Sequence, residues 1–598
     1  MNPKREYIKG KDTYNKELDK LNHKINVYGN VRLIVILLGL GLTIWSYTRK
    51  SYLLSLNSLI ITLVIFISLI IIHQKNIDLR PRLTALCKIN ENGIKRLRGE
   101  WKKFQKNGKE FIDEDHNYSW DLDLFGKNSL FQWINHTNTP MGKKKLRDAL
   151  IKPNKNIELI RKRQQAIIEL SKDMSWVHEL EAAGMLEDND SIDEGELIKW
   201  SKDIAPFYLN NLLGLFVKIL PIVSILTIVL PFCIPSFSFI YGLIFISIQI
   251  IVAFIGLNKR HTRLSTIDDF RKQISIYDKM IKLIESKEFE SSLLQDFKKQ
   301  MESDNELTSQ QIKKLDNIMD MFNIRHFQFY LIFDILTLWD YQCAISLENW
   351  KNRYGKNLPK WLDSLGEIEA LASLATVVYE QPDWVMPTIT KEYRVSATEI
   401  GHPLINAKDR VCNNVTFGGR HSSLLVTGSN MSGKSTFLRT IGINLVLAYA
   451  GAPVCAKEFC CPMMDLYTSM RVKDDIDNKI SSFYAELLRI KKIIGATNEG
   501  KKVFYLLDEI FKGTNSRDRH IGARTLIKKL CKGNTLGLVS THDLELADLE
   551  SESDSRVKNY HFQEHYKDNK ILFDYKLYSG VSNTFNAVFL MKEIGIDI

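Results

Sequence analysis

The segment from Gly428 to Ser435 has the composition and spacing of a loop that holds phosphate groups. It fits the pattern G-x-x-x-x-G-K-[ST], follows the apolar run 424–427 and opens a helical pattern at Thr436. Glycines let backbone N–H groups close around phosphate oxygens, and a helix start favours negative charge. We therefore predict a nucleotide-binding loop that consists of Gly428, Ser429, Asn430, Met431, Ser432, Gly433, Lys434, Ser435 and Thr436.

Four side chains in two segments have the chemistry needed to cleave a phosphoanhydride. Lys434 would neutralise charge on the β- and γ-phosphates, and the Ser435 hydroxyl would bind Mg²⁺. Asp508 and Glu509 end the apolar run 503–507, which predicts a buried parallel strand with both acids at its carboxyl end. We predict that Asp508 shares the Mg²⁺ with Ser435 and that Glu509 polarises the attacking water. A helix N-terminal cap is the alternative, but it leaves the strand unexplained.

A third apolar run leads to His542. Residues 536–540 predict another buried strand, and the histidine at its end would sense the γ-phosphate. A lone histidine is usually structural, but this one follows both earlier motifs at a strand end, which favours the functional role. We therefore predict Lys434, Glu509 and His542 as catalytic residues, and hydrolysis of ATP to ADP and phosphate as the reaction.

The elements that must position these residues change in character near residue 401. From there, short apolar runs alternate with helical segments, which is typical of an α/β unit with a parallel sheet. Segments 74–208 and 258–400 are rich in Leu, Ile, Lys and Glu at helical spacing, which predicts helices. The expected fold class is an α/β ATPase domain at the C-terminus, preceded by an all-α region.

Four apolar runs accompany the helical region, and the longer ones match the thickness of a bilayer core. They form two pairs with short connections, one within 33–73 and one within 209–257. We predict about four transmembrane helices in two hairpins, with buried core helices as the alternative. A cleaved signal peptide does not fit, because the polar segment 1–32 precedes the first run and no small-residue cleavage site follows it.

Basic residues flank the hairpins on one side. They are Lys4, Arg5, Lys9, Lys11, Lys16, Lys20, Lys24 and Arg32 before the first hairpin, then Lys75, Arg80, Arg82, Lys259, Arg260 and Arg263. Arg49 and Lys50 in the first loop argue weakly for the reverse orientation, but ATP is cytosolic. The positive-inside rule therefore predicts a multi-pass membrane protein with its N-terminus and ATPase domain in the cytoplasm.

Overall composition excludes little. The formal net charge of +11 over 598 residues is compatible with nucleic acid, an anionic membrane or an ordinary cytosolic protein. The eight cysteines include no C-x-x-C pair, which predicts reduced thiols rather than a zinc site or a disulfide framework. ATP and Mg²⁺ are thus the ligands that the motifs predict.

The motifs resemble those of the MutS family, whose ATPase belongs to the ABC class. The family's G-P-N-M-G-G-K-S-T is similar to 428–436, its L-L-D-E-I-G-R-G-T-S to 506–515 and its A-T-H to 540–542. Its S-T-F-M-x-E signature resembles 481–486. The resemblance implies a homodimer in which Ser481 reaches the nucleotide of the partner subunit in trans.

The resemblance also covers segments upstream of the ATPase motifs. Segment 130–142 resembles the opening of the MutS core domain, and 371–387 resembles the stretch that joins the lever helices to the ATPase. Before the core, a basic tail and a membrane hairpin take the place of the family's mismatch-reading and connector domains. We expect a MutS-like ATPase that grips DNA without mismatch selectivity. Lys479 replaces a family glycine two residues before the signature serine, and this difference affects how strongly one subunit is expected to activate its partner.

Two other classes of function stay open. A transporter half-molecule would also combine membrane helices with an ABC-class ATPase, but it should show an L-S-G-G-Q-type signature and about six spans. A membrane-bound mechanochemical scaffold that acts on protein or lipid would need no DNA.

The expected organisation has six segments. They are a basic cytosolic tail (1–32), a transmembrane hairpin (33–73), a helical core-like segment (74–208), a second transmembrane hairpin (209–257), a helical lever segment (258–400) and the ATPase domain (401–598).

Overall fold

Helices form the first two thirds of the molecule, and strands join them afterwards. The computed structural model describes residues 2–185, 194–234, 236–268, 270–302, 306–326, 328–471, 482–552, 555–567 and 570–581. The predicted trans residue Ser481 lies outside the described residues, as does the end of the predicted ATPase domain.

The first two helices form one long antiparallel hairpin. Helix α1 spans Pro3–Thr48, and α2 spans Tyr52–Leu97. The predicted membrane segment 33–73 is therefore only the distal part of this hairpin. The predicted basic tail is the first half of α1 rather than a separate tail, because residues with good helix propensity continue the helix back to its cap at Asn2.

Fourteen further α-helices are described between this hairpin and the first strand. The last of them, α16, lies at the centre of the helical part. The helices are α3 (Leu130–Ile134), α4 (Pro140–Ile151), α5 (Ile157–Lys172), α6 (Met174–Gly184), α7 (Glu194–Lys202), α8 (Asn211–Cys233), α9 (Phe239–Phe254), α10 (Leu257–Asp268), α11 (Arg271–Ser286), α12 (Ser292–Met301), α13 (Thr308–Phe322), α14 (Tyr330–Thr337), α15 (Trp339–Tyr354) and α16 (Leu358–Glu380). Helix α16 is buried along most of its length and packs against α4, α5 and α12. Its small and apolar residues on all sides suit that position.

A buried polar cluster fastens the long hairpin to the end of α16. The Tyr7 hydroxyl donates to Glu380 Oε1 at 2.9 Å, and Arg96 Nε donates to the two oxygens of the same carboxylate at 2.9 and 3.1 Å. All three side chains are almost completely buried. Because an unpaired buried charge is costly, this cluster defines where the hairpin meets the body of the protein.

Among the described residues, three helices are long and apolar enough to cross a membrane, namely α1, α2 and α8. Helices α9 and α10 reach the same length as a pair that is bent by 55°, which gives up to four candidate spans. Length and composition alone define these candidates. They include the four apolar runs of the sequence.

In the C-terminal part, the residues that the structure describes form ten strands and three α-helices. The strands are β1 (Thr388–Thr390), β2 (Arg394–Ile400), β3 (Asn413–Gly418), β4 (Ser423–Thr427), β5 (Glu458–Pro462), β6 (Asp465–Ser469), β7 (Val503–Asp508), β8 (Thr535–Thr541), β9 (Val557–Lys567) and β10 (Lys570–Ser579), and the helices are α17 (Lys434–Ala450), α18 (Ser482–Asn498) and α19 (Ser516–Cys531). A four-stranded sheet has the order β1-β5-β2-β3, and a six-stranded sheet has the order β10-β9-β4-β8-β7-β6.

Strands β1 and β2 lie inside the segment 258–400 that the sequence predicts to be helical, so that prediction is wrong at its C-terminal end. In β2, Val395, Ala397 and Ile400 are buried between more exposed residues. The register shifts between Ala397 and Ile400, which is typical of a β-bulge. This extra residue interrupts the two-residue alternation that identifies a strand in a sequence.

The six-stranded sheet has the predicted α/β character. Strands β9, β4, β8, β7 and β6 run parallel to their neighbours, and only the edge strand β10 is antiparallel. Strands β4 and β8 are buried along their whole length. The short apolar runs 424–427 and 536–540 therefore correspond to strands that are covered on both faces.

Candidate functional site

Three parallel strands of the larger sheet end at one edge, and each is followed by predicted site residues. Strand β4 leads into the loop at Gly428, β7 ends at Asp508 before Glu509, and β8 ends directly before His542. The ladder between β4 and β8 continues to the last residue of both strands. The sheet therefore brings together segments that lie far apart in the chain, at the carboxyl edge where α/β folds bind ligands.

The loop after β4 has a backbone that needs glycine at both ends. Gly428 has φ of 144° and Gly433 has φ of 109°. A Cβ atom at Gly428 would lie 2.9 Å from the Phe562 carbonyl oxygen, and one at Gly433 would lie 3.1 Å from Tyr575 Cδ1. Met431, at φ 66°, is the exposed tip. A side chain at either glycine would therefore crowd the neighbouring strand, β9 at Gly428 or β10 at Gly433.

Lys434 is the first residue of α17, and its ammonium group lies inside the loop. Nζ donates to the carbonyl oxygens of Gly428 at 2.9 Å and Ser429 at 2.7 Å. Burial lowers the pKa of Lys434, while the nearby carboxylates of Glu509 and Asp508 oppose that shift. Phosphate oxygens could replace the two carbonyl acceptors, so the lysine is already positioned for an anionic ligand.

Glu509 is the best-connected carboxylate of this edge. His542 Nε2 donates to its Oε1 at 2.8 Å, and Lys512 Nζ lies 2.8 Å from its Oε2. The hydrogen bond from His542 is the main reason that the pKa of Glu509 falls to about 2, against the opposing effect of burial. Lys434 Nζ also lies 3.3 Å from His542 Nε2. Because His542 Nε2 donates its proton to Glu509, it has no lone pair for the lysine. The approach of Lys434 to His542 is therefore a close contact rather than a hydrogen bond.

Asp508 and Ser435 supply the kind of oxygen ligands that Mg²⁺ prefers. Asp508 Oδ1 accepts a hydrogen bond from the Ser540 hydroxyl on the neighbouring strand. Ser435 lines the cavity beside the loop, and Asp508 is the last residue of β7. The donor set therefore fits the predicted metal.

Two serine hydroxyls of the loop differ in their hydrogen bonding. Ser432 Oγ is fully buried and, among the described residues, has no hydrogen-bond partner. Ser429 Oγ donates to the Glu564 carboxylate on β9. Since buried polar atoms are nearly always paired, the unpaired hydroxyl fits a site that is completed by a polar ligand.

The cavity beside the loop has a volume of about 470 Å³, and the sequence did not predict its far wall. That wall includes His402, Asn413, Phe562 and Tyr575. Asn413 Nδ2 donates to the Tyr575 carbonyl oxygen at 3.0 Å, which ties the smaller sheet to β10. The sequence patterns that predict the phosphate-binding loop assign no role to these four residues.

Glu509 and His542 also border a second cleft of about 740 Å³ on the side of α19. His520 Nδ1 lies 2.8 Å from Asp543 Oδ2 there. Glu509 therefore lines both cavities, and His542 lines the second one.

Helix α18, which carries the end of the signature segment, braces the chain after Glu509. Phe511 N donates to Glu486 Oε1 at 2.5 Å, and a Cβ atom at Gly513 would lie 2.7 Å from Phe483 Cβ. Glu509 and Phe511 both have positive φ, at 50° and 63°. Such strained backbone persists only where its surroundings hold it, so Glu486 is a positioning residue that sequence reasoning missed.

A buried aspartate from the start of the helical body holds the other end of this arrangement. Asp121 accepts hydrogen bonds from Thr468 Oγ1 at 2.7 Å, from the backbone N–H groups of Met470 and Arg471 at 3.1 Å, and from Arg489 Nη1 at 3.0 Å. These donors lie at the end of β6 and on α18. The segment around Asp121 therefore links the helical body to both flanks of the signature segment.

Comparison with known families agrees with this architecture. The MutS domain III family model matches residues 115–375, and the MutS domain V family model matches residues 424–595. The chain belongs to the MutS family. The domain V match contains β4, the glycine-bounded loop, Glu509 and His542, and the domain III match contains α8 and α9.

Individual relatives are similar in sequence to part of this MutS-family protein. Each is a DNA mismatch repair protein MutS: that of Aquifex pyrophilus is 30% identical over 236 residues (39% of this chain, 27% of the relative), that of Persephonella marina 32% over 241 residues (40% and 27%), and that of Methanosarcina mazei 27% over 265 residues (43% and 29%). The aligned region thus spans less than a third of the length of each relative.

The contact between Glu486 and Phe511 gives a first testable prediction. Glu486→Ala leaves the buried Phe511 N–H without an acceptor, which should cost about 1–3 kcal/mol and loosen the chain after Glu509. Hydrogen exchange measured by mass spectrometry should become faster over 509–513. Glu486→Gln keeps an acceptor oxygen and should change exchange much less.

Glu499→Ala serves as the matched control, because this exposed carboxylate follows the end of α18 and pairs with Lys501. It should leave exchange over 509–513 unchanged. Equal exchange in the Glu486→Ala and Glu499→Ala variants would show that Glu486 does not hold this segment.

Proposed function

We propose that the chain is a membrane-anchored MutS-type ATPase that hydrolyses ATP with Mg²⁺, acts as a homodimer and couples hydrolysis to DNA binding. One observation carries the ATPase proposal: Lys434, Glu509 and His542 meet at one sheet edge beside a glycine-bounded cavity. These side chains are a cation for phosphate, a carboxylate for water and a polar group between them, which is the set that phosphoanhydride hydrolysis requires.

The side chains divide the chemical work. Lys434 would exchange the loop carbonyls for phosphate oxygens and stabilise the charge that builds up on them. Glu509, with its pKa held at about 2, is ionised near neutral pH and can orient and polarise the attacking water. Ser435 and Asp508 would hold Mg²⁺, which supplies further electrostatic stabilisation of the phosphates when bound.

His542 gives the site a means of responding to its ligand. Its Nε2 hydrogen bond occupies one oxygen of Glu509, and Lys512 occupies the other. A carboxylate with both oxygens engaged is poorly available to water. We propose that the γ-phosphate draws His542 away from Glu509, so that the base becomes free only when ATP is bound.

The membrane and dimer parts of the proposal rest on different features. The apolar surfaces of α1, α2, α8 and the α9–α10 pair support two membrane hairpins, with the N-terminus and ATPase domain in the cytoplasm. The resemblance of 481–486 to the signature supports a composite site in which Ser481 of one subunit completes the site of its partner. Helix α18 begins directly after Ser481 in the chain.

Two substitutions test the ATPase proposal. Lys434→Ala should abolish ATP binding, because it removes the only cation inside the loop among the described residues. Glu509→Gln should retain ATP binding while turnover falls by about 10²–10⁴-fold, because only the water-orienting carboxylate is lost. Binding is measured with a fluorescent ATP analogue and turnover by phosphate release, on the full chain in detergent.

Glu545→Gln provides the matched control, since this exposed carboxylate lies on the same side of the sheet and contacts His520 rather than the loop. It should keep wild-type binding and turnover. Wild-type hydrolysis in both Lys434→Ala and Glu509→Gln would eliminate the proposed site.

DNA binding is the part of the proposal that separates it from a scaffold acting on protein or lipid. The net charge of +11 and the MutS relationship support binding. The described residues ahead of the domain III match form the α1–α2 hairpin and a short irregular stretch, which supports binding without mismatch preference. Affinity for a duplex should fall steeply between 50 and 200 mM salt, because phosphate contacts release counterions (on the order of 10³–10⁵-fold for 6–10 contacts).

Fluorescence anisotropy with a matched duplex and a single-mismatch duplex of the same length provides the measurement. We expect equal affinities for the two. A clear preference for the mismatch would contradict the lack of selectivity. No binding at low salt would favour the scaffold, for which the buried connection between the membrane hairpin and α16 is the supporting observation.

A further inference from the structure

Helix α14 buries its one charged residue and exposes several of its apolar residues. Phe329, just before the helix, is 59% exposed, Ile332 is 58% exposed and Leu336 is 37% exposed. Asp334, on the opposite side, is only 3% exposed. A surface helix in water has the reverse arrangement, with its charged residues outward. An exposed apolar face of this kind marks a surface that contacts something other than water.

The polar residues beneath α14 are satisfied within the protein. Asp334 Oδ1 accepts the backbone N–H of Asp340 at 2.8 Å, and the Arg325 guanidinium donates to both oxygens of the Asp340 carboxylate at 3.0 and 2.6 Å. Trp339 packs edge-on against Phe333. The orientation of α14 is therefore fixed by buried hydrogen bonds, and its apolar face is held outward.

The neighbours of α14 are the two helices of the second apolar hairpin. Helix α14 packs against both α8 and α9, and the start of α15 is fastened to the end of α9. Tyr341 donates its hydroxyl to the Ile255 carbonyl oxygen at 2.9 Å, and the Arg260 guanidinium lies 3.8 Å from the Tyr341 ring centre. Arg260 also donates to the carbonyl oxygens of Ala253 and Ile255. Helix α14 thus lies beside the end of the hairpin where α9 gives way to α10.

The apolar face of α14 continues the apolar surface of this hairpin. Exposed side chains on α9 near its end include Ile251, Phe254 and Ile255. Lys259 is exposed directly beyond the bend, where lipid headgroups would lie. The eight residues of α14 are too few to span a bilayer, but they are enough for a helix that lies in its surface.

We propose that α14, together with Phe329, is embedded in the cytoplasmic leaflet of the bilayer beside the second hairpin, with lipid acyl chains covering its exposed face. This inference rests on the proposed membrane insertion of α8 and α9. The second membrane unit then has three elements rather than two. Because α14 leads directly into α15, the helical body would be held against the membrane rather than projecting from it.

Photocrosslinking of the full chain in vesicles of phosphatidylcholine and phosphatidylglycerol tests this assignment. Benzoylphenylalanine is introduced singly at position 329 or 332, where the side chain is exposed and the core is undisturbed. Position 244 in the middle of α9 reports on the hairpin, and position 299 on α12 is an exposed control outside the membrane surface. Lipid adducts are detected as a mass increase of the corresponding peptide.

We expect lipid adducts at 329, 332 and 244 and none at 299. Adducts at 244 without adducts at 329 and 332 would overturn the inference while leaving the membrane hairpin intact. Absence of adducts at 244 as well would overturn both. Crosslinks from 332 to another protein molecule in place of lipid would assign the face to a second copy of the chain and would equally contradict the proposal.

Discussion

The parallel pairing of β4, β7 and β8 is the constraint on which the rest of the site depends. Parallel strands point their carboxyl ends the same way, so Lys434, Glu509 and His542 meet although more than a hundred residues separate the first from the last. Once they meet, the local environment decides their chemistry. His542 keeps Glu509 ionised and occupied, while the loop carbonyls hold the lysine ready for phosphate. The same sheet edge therefore holds both the cation, Lys434, and the base, Glu509, of the proposed reaction.

Two buried polar connections link this edge to the remainder of the protein. Asp121 joins the helical body to β6 and α18, and Glu486 on α18 holds the chain after Glu509. At the C-terminal end of α16, Glu380 binds Tyr7 and Arg96 of the long hairpin. Removing one partner from such a buried pair leaves a charge without compensation, so these connections move as units or break at substantial cost.

Features that depend on neighbouring residues were predictable from the sequence, whereas those that depend on distant partners were not. Short patterns of glycine and apolar residues predict the loop around Gly433 and the strand that ends at Asp508. The β-bulge in β2 removes the alternation that would reveal the strand, so the start of the sheets was misplaced. Glu486 stands in the segment that resembles the MutS signature, but that resemblance gives it no structural role, and Asp121 belongs to no motif of the sequence. Only the fold shows that they are buried against backbone N–H groups.

The central claim is that the glycine-bounded loop and the chain after Glu509 bind ATP together. Hydrogen exchange of the full chain in lipid nanodiscs tests it most directly, with the Glu509→Gln variant used so that bound ATP persists. Saturating ATP with Mg²⁺ should slow hydrogen exchange at 428–436 and at 509–513. The reason is that phosphate oxygens accept hydrogen bonds from the loop N–H groups and close the site. The same addition should leave a Lys434→Ala, Glu509→Gln double variant unchanged. Equal exchange with and without ATP at both segments would contradict the account.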